Sequence, residues 1–129
     1  RQQPVNDTER RCYMRKIHMK RRMQYMGDDI VILLTGGVSH IGTHVTAIPY
    51  EKNGSWHVTL QTWNMISHRD DILAIPYARE LALLTHHTVV CVCGVHLDDI
   101  TREEIEYISA WCEKDRKHMR EEYQNERAL

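Results

Sequence analysis

The chain of 129 residues carries 17 Lys and Arg against 18 Asp and Glu, a formal net charge of -1, with 42% apolar and 27% charged residues. That length holds one hydrophobic core and not two, and no apolar run is long enough to span a bilayer, so a membrane protein is excluded. No basic n-region followed by an apolar h-region opens the chain, which makes the cytoplasm the expected compartment.

Residues 1–10 are polar with a single proline and predict a flexible N-terminal arm, leaving 11–129 as a single α/β domain. From Cys12 to Tyr25 the residues Tyr13, Ile17, Met19, Met23 and Tyr25 fall mostly at odd positions, interrupted by Arg11, Arg15 and Arg21. A twisted strand with a basic exposed edge fits this spacing better than a short amphipathic helix. The basic residues of this stretch either form a solvated face or attract an anion or an acidic partner. No zinc finger, basic zipper or RNA-binding aromatic motif accompanies them, so nucleic acid is not an expected partner.

Gly27-Asp28-Asp29 predicts a tight turn that pairs this strand antiparallel with Ile30 to Leu34. After a glycine-rich loop, His44 to Tyr50 reads as a third strand. Lys52-Asn53-Gly54 turns the chain into a fourth, Ser55 to Trp63, with Trp56, Val58, Leu60 and Thr62 on one side. Four sequential strands predict an antiparallel meander. Ile72 to Leu84 has helical spacing, with Pro76 either in its first turn or at a kink. Thr88 to Cys93 lacks polar alternation and predicts a central strand covered on both faces. Its Cys91 and Cys93 read as small buried hydrophobes, and with Cys12 and Cys112 isolated there is no C-x-x-C. Thr101-Arg102-Glu103-Glu104 is a capping box opening a long helix. Ile105, Ile108, Cys112, Met119 and Tyr123 mark its apolar stripe, and the charges beyond Asp115 suggest that it protrudes or packs on a partner. The order is β-β-β-β-α-β-α, an α+β sandwich with helices packed on the sheet.

The unusual residues lie at the ends of these elements. In T-G-G-V-S-H-I-G-T, Thr35 to Thr43, the glycines Gly36, Gly37 and Gly42 let backbone N–H groups approach an anion closely. No Gly-Lys-Ser/Thr follows and a strand comes next, so it is neither a P-loop nor a Rossmann turn, and on glycine count alone a tight hairpin is favoured over a ligand loop. Ser67-His68-Arg69-Asp70 enters a helix, whose N-terminus favours anions. Gly94-Val95-His96-Leu97-Asp98-Asp99 leaves the C-terminal end of the central strand, where α/β sheets tend to place ligands. Three motifs thus each offer one histidine: His40, His68 and His96.

These three motifs, T-G-G-V-S-H-I-G, S-H-R-D-D and C-G-V-H-L-D-D-I-T-R-E-E-I, match in order and spacing those of a known family. Over about Gly27 to Ile108 the chain resembles the small prenylated-flavin chaperones, the accessory subunits of gallate decarboxylase-type systems, which are similar in shape to proteasome-assembly-chaperone-like folds. Pro76 in the first helix is a departure. The resemblance implies a protein that binds and delivers, or protects, prenylated flavin mononucleotide for a flavin-dependent aromatic acid decarboxylase. By position, Thr35, Gly36, Gly37, Ser39 and Gly42 would meet the phosphate or flavin edge with His40 as a donor. Arg69 would neutralise the phosphate, and His68, His96 and Asp98 would complete the pocket. His40, His68 and His96 could alternatively hold a divalent metal. Family shape implies a homodimer, with the stripe of the last helix as a contact.

Two other readings stay open. The histidines with Asp98 could form a small metal-dependent hydrolase, although H-E-x-x-H and G-x-S-x-G are both absent. The chain could also be a protein-assembly interaction module without cofactor, its glycines only turns and its histidines only packing residues.

Overall fold

The computed structural model describes residues 15–66 and 69–127; the expected N-terminal arm, Cys12, Ser67 and His68 lie outside them. Strands β1 (Lys20–Met26), β2 (Asp29–Gly37), β3 (Thr43–Lys52) and β4 (Ser55–Asn64) precede helix α1 (Asp71–Thr85), strand β5 (Val89–His96) and helix α2 (Arg102–Arg127). The element order and the α+β class are those the sequence predicts.

Both predicted hairpins form. β1 pairs antiparallel with β2 across Gly27, whose φ is 63°. β3 pairs with β4 across Asn53 and Gly54, at φ 54° and 81°, the two left-handed residues that a two-residue hairpin turn requires. The meander is interrupted, however. The sheet runs β1-β2-β5-β3-β4, with β5 parallel to β2 and antiparallel to β3. The uniformly apolar run from Val89 to Cys93 makes a poor sheet edge, and insertion between the hairpins gives it a ladder partner on each side.

One face of this sheet carries the core. Ile32, Leu34, Val45, Ala47 and Cys91 are fully buried, as are Tyr77 and Leu81 of α1 and Met119 of α2. Both helices lie on that face: Tyr77 reaches Asp115 of α2 at 2.9 Å, and Arg21, registered beside the buried Leu34, reaches the same carboxylate at 3.0 Å. Val90 and Val92 point to the other face and are only half-buried, so β5 is not covered equally on both sides. Burial pushes the Cys91 and Cys93 thiols well above their ordinary range, consistent with small core hydrophobes rather than nucleophiles. No helix among the described residues is long and apolar enough to cross a membrane.

The helix ends follow local rules. α1 starts at Asp70, whose carbonyl accepts from the Ala74 N–H at 3.0 Å. Pro76 sits in the second turn, so the carbonyl of Ile72 lacks its helical donor. At α2 the capping box is reciprocal, Glu104 N–H donating to Thr101 Oγ1 at 3.1 Å and Thr101 N–H to Glu104 Oε1 at 2.9 Å.

The charged half of α2 does not protrude. Arg21 also reaches Glu122 at 2.6 Å, Tyr25 donates to Glu126 at 2.7 Å, and Glu80 of α1 accepts from Arg116 and Arg120. These pairs lay the helix along β1 and α1, and Ile108, Cys112 and Met119 of its stripe are buried in the chain's own core. That part of the stripe is therefore not available as a contact between copies of the chain.

Glu104 is 1% exposed and takes two guanidinium hydrogen bonds from Arg15, at 2.9 and 2.8 Å. Those bonds and the Thr101 N–H hold its carboxyl down to about 2. The folded state thus favours the ionised form, a contribution complete above the ordinary value of 4.5 and lost as pH falls toward about 2. Denaturant titrations of wild type and Glu104→Gln across this range should show a stability gap that is full at neutral pH and closes on acidification; a gap independent of pH would disprove the assignment.

Candidate functional site

The insertion of β5 shapes one end of the sheet. β2 and β5 are parallel, but their chains leave in opposite directions: β2 crosses over the end of β5 to reach β3, while β5 continues into α2, which packs toward β1. Such a divergence at the carboxyl ends of parallel strands opens a crevice.

The crossing is the glycine-rich loop, and its glycines are occupied by the chain itself. A Cβ on Gly94 would overlap the backbone of His40 as the loop passes over β5. A Cβ on Gly42 would overlap the carboxylate of Asp70, and Gly37, at φ 66°, lies against the carbonyl of His96. Two loop amides are also used, Val38 N–H donating to the His96 carbonyl at 3.1 Å and Gly42 N–H to that of Cys93 at 2.9 Å. Gly36 is the last core-side position of β2, Thr35 lies half-buried on the opposite face, and Ser39 is exposed.

Asp70, not singled out by sequence reasoning, ties three elements together. Its carbonyl starts α1, and its carboxylate fills the space left by Gly42 and accepts from the Val95 N–H at 3.2 Å. A short acidic residue before a helix reads as a cap from sequence; that its side chain turns to β5 instead depends on strand order, which the sequence does not display.

His40 and His96 are brought together, their rings edge to face with centroids 5.7 Å apart. The Nδ1–H of His40 donates to the Val38 carbonyl at 3.1 Å, and the Nε2–H of His96 donates to the exposed Asp98 at 3.1 Å. Arg69 is 76% exposed and lies 3.5 Å from the carboxylate of Asp71. His68 lies outside the described residues, and among those described no group of three or more His, Cys, Asp or Glu side chains is placed to hold a metal ion.

Beside these residues opens a cavity of about 480 Å³, within the range that holds cofactor-sized molecules. Its walls are Ile72 and Leu73 of α1, Val95 and Leu97 around the end of β5, Ile100, and Ile105, Ile108 and Ser109 of α2; Arg69, Asp70 and His96 add the polar groups. Of the residues that sequence reasoning nominated, the cavity includes Arg69 and His96. The apolar wall was missed because Ile105 and Ile108 fit a helix stripe, and Ile72 and Ile100 carry no chemistry by themselves.

The electrostatics favour one anchor. The first turns of α1 and α2 already hold carboxylates at Asp71, Glu103 and Glu104, which satisfy the helix dipoles and repel a second anion. The guanidinium of the lining is that of Arg69, which also faces the Asp71 carboxylate at 3.5 Å. A largely apolar cavity with a guanidinium and an imidazole suits a flat apolar molecule bearing a negative tail.

A family model described as prenylated flavin chaperone LpdD-like domain matches residues 14–124. No curated protein matches the chain.

The crossing predicts that Gly94→Ala destabilises by roughly 1–3 kcal/mol, the usual cost of forcing a group into a filled core. Denaturant unfolding should show this loss, and the NMR signals of His40 and His96 should move together; unchanged stability would mean that the loop does not rest on β5.

Proposed function

The chain belongs to the prenylated flavin chaperone LpdD-like family, and from that premise we propose that it binds prenylated flavin mononucleotide and delivers it to a flavin-dependent aromatic acid decarboxylase. The observation that carries this reading is the cavity at the carboxyl end of β5, apolar in its walls and cationic at Arg69. The fit is chemical: a fused ring system can be buried against Leu73, Val95 and the isoleucines, while a phosphate meets the bidentate fork of Arg69 in solvent. His96, oriented by Asp98 and beside His40, would add a polar contact to the flavin edge.

In this reading Thr35, Gly36, Gly37, Ser39 and Gly42 act by carrying the chain across β5 rather than by cradling the phosphate directly. His68 remains a candidate phosphate partner by its position next to Arg69. Among the described residues no group of three or more His, Cys, Asp or Glu supports a metal-dependent hydrolase, and His68, its third nominated ligand, lies outside them.

The reading as a protein-assembly module is favoured by one observation, that the spaces beside Gly42 and Gly94 are filled by the chain itself. It predicts no bound flavin.

An anaerobic titration with reduced prenylated flavin mononucleotide, followed by visible absorbance, separates the two. Saturable binding is expected, weakened up to about fivefold by Arg69→Ala, the scale of an ion pair made in solvent, and less by His96→Ala or His40→Ala. Absence of binding, or binding indifferent to Arg69 and His96, would favour the module.

A further inference from the structure

Three isoleucines of the cavity wall are exposed to solvent. Ile72, Ile100 and Ile105 are 64%, 37% and 49% exposed, and they come from α1, the loop after β5 and α2. Side chains of this kind, converging from three segments on one opening, mark surface that a ligand covers. Ile108, at 3% exposure, continues the same wall into the core. The charged member of the lining, Arg69, is mostly in solvent.

We propose that this isoleucine wall selects the prenylated flavin over the unmodified one, receiving the hydrocarbon that prenylation adds while Arg69 takes the phosphate that both share. The inference rests on the flavin reading above and adds the basis of its selectivity. The physical argument is subtraction. Prenylated and unmodified flavin mononucleotide carry the same phosphate, ribityl chain and pyrimidine edge, so hydrogen bonds and charge at those groups cannot separate them. The added group is hydrocarbon, and discrimination for it comes from apolar area removed from water. A single methylene in an apolar pocket is worth about tenfold or more in discrimination, so several carbons against this wall are sufficient.

Selection of this kind has a use in a carrier. A site held only by the phosphate and the pyrimidine edge would fill with the unmodified cofactor wherever both are present. A site that reads the added hydrocarbon would load only the finished one.

The test compares two ligands on one protein. Anaerobic titrations with reduced flavin mononucleotide and with reduced prenylated flavin mononucleotide should give an affinity ratio of about ten or more in favour of the prenylated form. Ile105→Asn and Ile72→Ser, both at exposed positions on different helices, should bring this ratio toward one by weakening the prenylated form more than the unmodified one. Arg69→Ala should weaken both ligands alike and preserve the ratio. Equal affinity of the wild-type protein for the two flavins, or isoleucine variants that weaken both equally, would overturn the selection while leaving flavin binding intact. Failure to bind either ligand would overturn the flavin reading itself, and the selection with it.

Discussion

The passage of the β2–β3 connection over the end of β5 is the constraint on which this structure depends. Once the apolar run from Val89 to Cys93 pairs with both hairpins, the chain leaving β2 must cross it, and the crossing is tight enough that Gly94 has no space for a side chain beneath His40. The same packing leaves Gly42 open to the Asp70 carboxylate, which reaches the Val95 amide and fixes the start of α1 against the strand. A sheet-level decision about strand order thereby sets the positions of His40, His96 and Arg69. His96 is the last residue of β5, while His40 and Arg69 lie on the loops that cross β5 and lead into α1, so their placement depends on how those loops rest on the strand.

A second set of interactions holds the opposite wall. α2 is long, and its mean composition is too polar for burial alone to dock it. Arg15 holds its first turn through Glu104, Arg21 holds its middle through Asp115 and Glu122, and Glu80 joins it to α1 through Arg116 and Arg120. The basic residues that open the chain therefore divide. Arg15 and Arg21 act within the fold, and the expectation of a basic surface seeking an anion does not apply to them. Arg21 is only 8% exposed on its side chain, so removal of its partners would leave a guanidinium stranded in the core, a change that commonly costs about 3–5 kcal/mol. Ile105 and Ile108 face the cavity because these pairs hold the helix.

What could be read from sequence was local. The turn at Gly27-Asp28, the Asn53-Gly54 hairpin and the Thr101–Glu104 capping box each need only neighbouring residues, and each forms as expected. The buried, apolar character of β5 was legible too. Its place between the hairpins was not, because strand order is decided by contacts between residues about 45 to 60 apart, such as Ile32 beside Cys91 and Val45 beside the same residue. The site shows the same division. Histidine, arginine and glycine were noticed because they are chemically distinctive. The isoleucines were not, since one apolar residue resembles another until the fold shows which of them lack a partner. Asp70 was passed over for a related reason, as its carboxylate serves a strand that arrives 25 residues later.

The balance of contacts at the cavity bears on how a cargo would leave it. On the proposed reading the charged contact is made by Arg69 in solvent, where an ion pair is screened and typically contributes about 1 kcal/mol or less by itself. The remaining attraction comes from apolar area, which is non-directional and requires no hydrogen bond to be broken in a fixed order. A buried guanidinium would bind the same phosphate more tightly and release it slowly. An exposed one gives up its hold as soon as a deeper, drier site competes, which is the behaviour a carrier needs. The rigid frame made by β5, α1 and α2 complements this, because a pocket that is already formed loses little conformational entropy on loading and regains little on release. Exchange would then be governed by the acceptor's affinity and not by unfolding of the donor.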